Sequence, residues 1–151
     1  VSLAPSTLAP SAIVTRIETV IAADADWHVS HHAYPDFPPA KDSGDVSDHS
    51  FAVGVLGTES LEGRQRASVG AHALTELRVR FLADVQADDK RGSYTRYLGM
   101  EADLVALVLS VNRDPDLTVR LESIEPRENH SETTLLGEAV FAVRHMYPLT
   151  T

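Results

Sequence analysis

The feature that most constrains this chain is a run whose polarity switches at every residue and then abruptly stops switching. In Leu74-Thr75-Glu76-Leu77-Arg78-Val79-Arg80-Phe81-Leu82, the side chains of Leu77, Val79 and Phe81 fall on one side and those of Glu76, Arg78 and Arg80 on the other. A period of two is what a strand with one dry and one wet face requires. The stretch from Ala83 to Gly92 breaks the pattern as an acidic turn. Ser93 is placed to cap a helix by accepting a bond from a free N–H of its first turn. From Tyr94 to Leu109 there is no proline, and only Gly99 weakens the helix. Tyr94, Leu98, Ala102, Val105 and Leu109 recur at helical spacing. The reading is a strand and a helix packed face to face, with the remaining sheet assembled around them.

The flanks supply that sheet. Ile13, Val14, Ile17, Val20 and Ile21 form the apolar stripe of a first helix that starts at Ser11 and ends at Asp24-Ala25-Asp26. Trp27 to Ala33 reads as a strand with Trp27, Val29, His31 and Ala33 on one face. A breaker-rich loop runs from Tyr34 to Asp48, and Phe51, Val53 and Val55 mark a second strand. Thr58 to Ala67 reads as a polar connection, Val69 to Leu82 as the long third strand, and Leu117, Val119 and Leu121 as the fourth. Glu125 to Glu132 reads as a charged hairpin loop, and Leu135 to Tyr147 as the last strand, with Ala139, Phe141 and Val143 inward. The order predicts an α+β fold in one domain over residues 1–151: a mainly antiparallel sheet of about five strands with two helices on one face.

Composition removes several function classes. There is no cysteine, hence no disulfide framework, thiol nucleophile or cysteine-ligated metal. Asp plus Glu outnumber Lys plus Arg by 22 to 13, a formal charge of −9. That argues against tight binding to a phosphate backbone, which needs clustered cations. No apolar run approaches the ~18–20 residues of a membrane span, and Val1-Ser2-Leu3-Ala4-Pro5 lacks the charged start and apolar core of a secretory signal.

Candidate chemistry is sparse. His28, His31 and His32, with His49 beyond the loop, raise a metal site. On a strand, however, His28 and His32 lie about 13 Å apart and His31 points away from both. Asp42, Asp45 and Asp48 raise calcium, but their spacing of three is not that of an EF-hand loop. Asp84, Asp88 and Asp89 sit in a turn too wet for general acid–base work. Ser47-Asp48-His49-Ser50 holds the residue types of a triad, yet immediate neighbours are not expected to reach triad geometry. No catalytic residue, metal site or cofactor is assigned. Arg78 and Arg80 are read either as interface cations or as partners of sheet carboxylates such as Glu122 and Glu138. In the long loop, Tyr34 and Phe37 are candidate interface anchors, with folding back onto the core as the alternative. Asp42 and Asp45 would then face a basic surface such as the Arg64/Arg66 connection of a neighbour.

The order and lengths of these segments resemble the tail terminator proteins of long-tailed bacteriophages, the lambda gpU-like group. The likeness runs from Ser11 to Tyr147. It rests on the first helix, a short strand and Pro-bearing loop, the strand His49-Ser50-Phe51-Ala52-Val53-Gly54-Val55-Leu56, the long strand Thr75–Leu82, the second helix, and the closing strand Phe141-Ala142-Val143-Arg144-His145-Met146-Tyr147. The resemblance implies a structural virion protein, not an enzyme. Such a protein forms a six-membered ring on the head-proximal end of a tail tube, stops tube growth and presents a surface for head joining. It also implies partners (further copies of itself, the tube protein and a head-side connector), DNA passing through without specific binding, and assembly in the host cytoplasm into the virion tail. A head–tail connector or tail-completion subunit is the neighbouring reading. A small metal-dependent hydrolase using the histidines or the Asp84 region is the reading from another class.

Overall fold

The computed structural model describes residues 7–30, 33–38, 48–61, 70–125, 128–131 and 133–149, the stretch 128–131 by its backbone. Its elements are α1 (Pro10–Ala22), β1 (His28–Val29), β2 (Ser50–Ser60), β3 (Gly70–Asp84), α2 (Lys90–Leu109), β4 (Leu117–Ile124), β5 (Glu128–Ser131) and β6 (Thr134–Pro148). The strands run β1-β2-β3-β6-β4 across one sheet, and β5 pairs with β6. Only β1–β2 is parallel. The fold is α+β, as the order of elements predicts.

β3 and β6 pair without interruption from Gly70↔Pro148 to Asp84↔Thr134. Their alternation builds the core. Leu77, Val79 and Phe81 lie with Ala139, Phe141 and Val143 on one face, all fully buried. Ile13, Ile17 and Ile21 of α1 and Tyr97, Met100, Leu104 and Val108 of α2 close over that face. At α1, Pro10 opens the helix, where its missing N–H costs nothing. Arg16 pairs with Asp114 and, at 3.4 Å, with Asp116, tying α1 to the turn before β4. A chain of polar groups, buried at His145 and Thr75, anchors the N-terminal arm. The Leu8 carbonyl can only accept, so His145 Nδ1 donates to it (2.9 Å). Nε2 then accepts from the Thr75 hydroxyl (2.6 Å), and Thr58 donates to Thr75 in turn (2.9 Å). Burial lowers the His145 pKa and keeps the ring neutral, against the opposing backbone bonds.

Several sequence expectations are corrected. α2 begins at Lys90, and its cap is Asp89, whose side chain accepts from Gly92 N at 2.9 Å. Ser93 lies inside the helix, donating to Asp89 O and accepting from Gln86 N, both at 2.8 Å. The buried stripe of α2 is the one through Tyr97 and Leu104, while Tyr94 and Leu98 are exposed. The expected strand from Trp27 to Ala33 shrinks to His28–Val29, with Trp27 buried and Val29 exposed. β2 continues to Ser60, pairing Thr58 with Thr75, where a polar connection was expected. Part of the expected charged loop is β5. On β4 a register shift between Leu121 and Ser123 ends the alternation, and Leu121 is exposed.

Gly137 is a tight glycine under the helices: a Cβ there would come within 2.4 Å of the Phe81 ring and of the Tyr97 hydroxyl. Around Gly99 a Cβ meets nothing within 4 Å. Gly137→Ala should therefore cost about 1–3 kcal/mol by overpacking, while Gly99→Ala should stabilise by up to about 1 kcal/mol through helix propensity. Urea unfolding of the two variants checks this; equal effects of one sign would contradict the packing described.

Candidate assembly surfaces

The sheet's second face carries charge. Arg78 and Arg80 point there, as the alternation predicts, and the sheet's own carboxylates meet them. Arg80 Nε donates to Glu138 at 3.0 Å. Arg78 lies 3.4 Å from Glu76, 3.5 Å from Glu138 and 3.7 Å from Glu125. Of the two carboxylates expected across the strands, Glu138 takes both arginines, and Glu122 pairs with Arg120. Arg78 Nε has no hydrogen-bond partner among the described residues. Beside it lies an open hollow of about 720 Å³ whose lining includes Glu76, Arg78, Glu122, Glu125, Val140 and Ala142.

Arg80 also holds the segment that starts the long loop. Its guanidinium stacks 4.2 Å over the Tyr34 ring and donates to the carbonyls of Tyr34 (3.3 Å) and Phe37 (3.0 Å). The Tyr34 hydroxyl donates to Glu138. Burial, that bond and the Glu138 charge push the Tyr34 pKa up to about 12, against the pull of both arginines. Tyr34 and Phe37 pack with Ala52 and Leu82 in a small second core, and the Tyr34 ring occupies the space where a Cβ on Gly54 would sit. The reading of these two aromatics as free interface anchors is thereby corrected: they fold back onto their own sheet. Asp42, Asp45, Arg64 and Arg66 lie outside the described residues, as do His31, His32 and Ser47.

At the Asp48–His49 corner two members of the Ser47–Ser50 run meet as a pair. Neighbours do meet here: His49 Nδ1 lies 2.7 Å from the Asp48 carboxylate. The backbone makes this possible, because His49 sits at φ 64°, in the left-handed region that histidine tolerates better than most residues. The bend is held by His49 N→Leu82 O (2.9 Å) and His28 N→His49 O (3.1 Å), and the ring stands edge-on to Trp27 at 4.7 Å. Arg96 of α2 and the Asp84 N–H (2.8 Å) complete the ring of donors around Asp48. Burial raises the Asp48 pKa, but the bonds from Arg96, Asp84 N–H and His49 together outweigh it and hold the carboxyl at about 2. Burial and the Asp48 charge push Asp84 the other way, upward. The arrangement stitches α2 to the ends of β2 and β3. Among the described residues, no group of three or more His, Cys, Asp or Glu is placed to hold a metal ion.

Two apolar patches lie at opposite ends of the molecule. On α2, Tyr94 (47% exposed) stacks against Tyr97 at 6.4 Å, with Leu98 one turn on. At the far end of the sheet, Tyr147 (37% exposed), Leu149, Ala71 and Ala73 line a hollow of about 250 Å³ rimmed by Thr58, Ser60 and His72. Leu61 is exposed just past the end of β2, and Leu56 at the bulge midway along it. Tyr97 reaches Gly137, and from Gly137 to Tyr147 β6 spans about 33 Å at ~3.3 Å per residue. Sequence reasoning missed both patches. No helix of the described residues is long and apolar enough to cross a membrane. No protein-family model matches this chain, and a search of curated proteins finds no match to it.

The Asp48 corner makes a pH prediction. Its folded pKa, about 2, lies below its ordinary 3.8, so its contribution is complete above that ordinary value and disappears as pH falls through about 2. Asp48→Asn should cost about 1 kcal/mol at neutral pH, solvent screening allowed for, and the difference from wild type should shrink towards zero near pH 2. Urea titrations at the two pH values decide it; a deficit independent of pH would show that the charge is not what stabilises the corner.

Proposed function

We propose that this protein is a structural subunit that assembles head to tail into a closed ring, in the manner of the tail terminator proteins its sequence resembles. The observation that carries the reading is a pair of unlike exposed apolar sets, Tyr94 with Leu98 on α2 and Tyr147 with Leu149 at the C-terminal end of β6. Unlike patches that meet give a heterologous contact, and such contacts close into rings when the rotation per subunit divides the circle. The resemblance sets the expected ring at six copies, with the tube protein on one side and a head-side connector on the other.

The charge fits this placement. At −9 per chain, a ring repeats its acidic surface around the axis. A negative wall repels phosphate, so DNA passes without being held. The Asp48–His49 pair does not favour an enzymatic reading, because its Asp oxygens are committed to Arg96 and the β3 backbone.

Sedimentation and negative-stain microscopy of the purified protein, alone and mixed with tail tubes, test the proposal. Closed six-fold rings, or a cap on one end of each tube with tube length fixed, are expected. A strict monomer that leaves tube growth unchanged would overturn it, and open filaments would overturn the closed ring.

A further inference from the structure

Independently of the ring reading, we infer that Asn112 closes the outer edge of β4 to strand addition by a second copy of this chain. β4 ends the strand order on its side of the sheet and pairs with β6 alone among the described strands. Such an edge offers N–H and C=O groups without ladder partners, a template on which another chain can pair. At Val119 both groups are taken. Asn112 Nδ2 donates to the Val119 carbonyl at 2.8 Å, and Asn112 Oδ1 accepts from the Val119 N–H at 2.6 Å. A residue of a further antiparallel strand would exchange this same pair of bonds. The Asn amide carries a donor and an acceptor in one plane, as a peptide group does, so it stands where the next strand's backbone would stand. Turning the amide over would set N–H against N–H and oxygen against oxygen, so the two bonds also fix its orientation.

The side chain comes from an anchored turn. Asn112 lies in the single 3-10 turn Ser110–Arg113 that follows α2. Val111 beside it is buried, and its carbonyl accepts from Asp114 N at 2.8 Å. Arg16 of α1 holds Asp114 and Asp116 just beyond. Little freedom is left for Asn112 to lose in reaching β4.

The edge it closes is self-complementary. Arg120 and Glu122 are exposed on β4, and Leu121 between them is 36% exposed. A second β4 laid antiparallel about a two-fold axis at Leu121 would set Arg120 of each copy opposite Glu122 of the other, and leucine against leucine. Opposite charges and apolar side chains facing across strands stabilise a sheet. That match names the occupant as the same edge of a second copy. In this register Val119 would pair with Ser123 of the other copy, and Asn112 already fills that place. By symmetry the block acts twice in each such pair.

Amide hydrogen exchange and sedimentation test this. In wild type the Val119 amide should exchange slowly, although it points away from β6. Asn112→Ala should speed that exchange about tenfold, the scale of losing one net hydrogen bond, and leave the amides of the β3–β6 ladder at their wild-type rates. The same variant should form larger species than wild type at equal concentration. Adding Leu121→Lys should return it to wild-type sedimentation, because like charges would then meet at the axis.

A wild-type Val119 amide that exchanges as fast as an unbonded loop amide would overturn the strand-like pairing, and that measurement needs no variant to fold. Wild-type sedimentation of Asn112→Ala would overturn the closing role. Association that survives Leu121→Lys would lie elsewhere than on β4 and overturn it as well. Each variant is compared with wild type, so these outcomes are read the same way whether or not wild type forms rings.

Discussion

The fold depends on one constraint, the unbroken antiparallel ladder between β3 and β6. It runs the full length of both strands, from Gly70↔Pro148 to Asp84↔Thr134. Proline enters only at the last position of β6, where no further ladder bond is needed. Because the side-chain period is two, this register sorts every residue onto a face. A slip by one would carry Arg78, Arg80 and Glu138 into the core and Leu77, Val79 and Phe141 into water. The dry face then receives the two helices and the N-terminal arm, and the wet face receives the Tyr34–Phe37 segment under Arg80.

What could be read from the sequence follows the same logic. The faces of β3 and β6 were legible because strict alternation admits one solution. The isoleucine stripe of α1 was legible because Ile13, Ile17 and Ile21 have no rival on that helix. α2 was not. It carries two stripes of comparable apolarity, Tyr94-Leu98-Val105-Leu109 and Tyr97-Met100-Leu104-Val108, both at spacings of three, four or seven. Periodicity cannot rank them. The start of the helix ranks them: with Asp89 as the cap, the helix enters at Lys90, and the first turn aims Ser93 and Tyr97 at Phe81 and Gly137.

The charged residues were legible by face but not by partner. Glu138, one of the cross-strand carboxylates the alternation offers Arg78 and Arg80, takes both; Glu125 and Arg96 show no role in the sequence, since their partners lie far away in it. Asp48 and His49 meet as a pair at a bend where His49 has φ 64°. A single left-handed residue turns two adjacent side chains towards each other. No local composition signal marks that bend, which coincides with the His49 N→Leu82 O bond where β2 begins.

These same distributions decide where a neighbour can bind at low cost. On the charged face, Arg80, Glu138, Arg120 and Glu122 are already paired within the chain. Covering them removes water from charges whose mutual attraction is already in place, so little is gained against the desolvation they would suffer. The Tyr34 and Phe37 rings that sequence alone offered as anchors are buried under that face. Other parts of the surface differ. Tyr94, Leu98, Leu56, Leu61 and Tyr147 expose apolar surface that no described element covers, and removing it from water gains roughly 25 cal/mol per Å² with few charges to strip. At a net charge of −9 copies of this chain repel one another in general, so any association proposed for them falls on exposed apolar surface and not on the paired charged face.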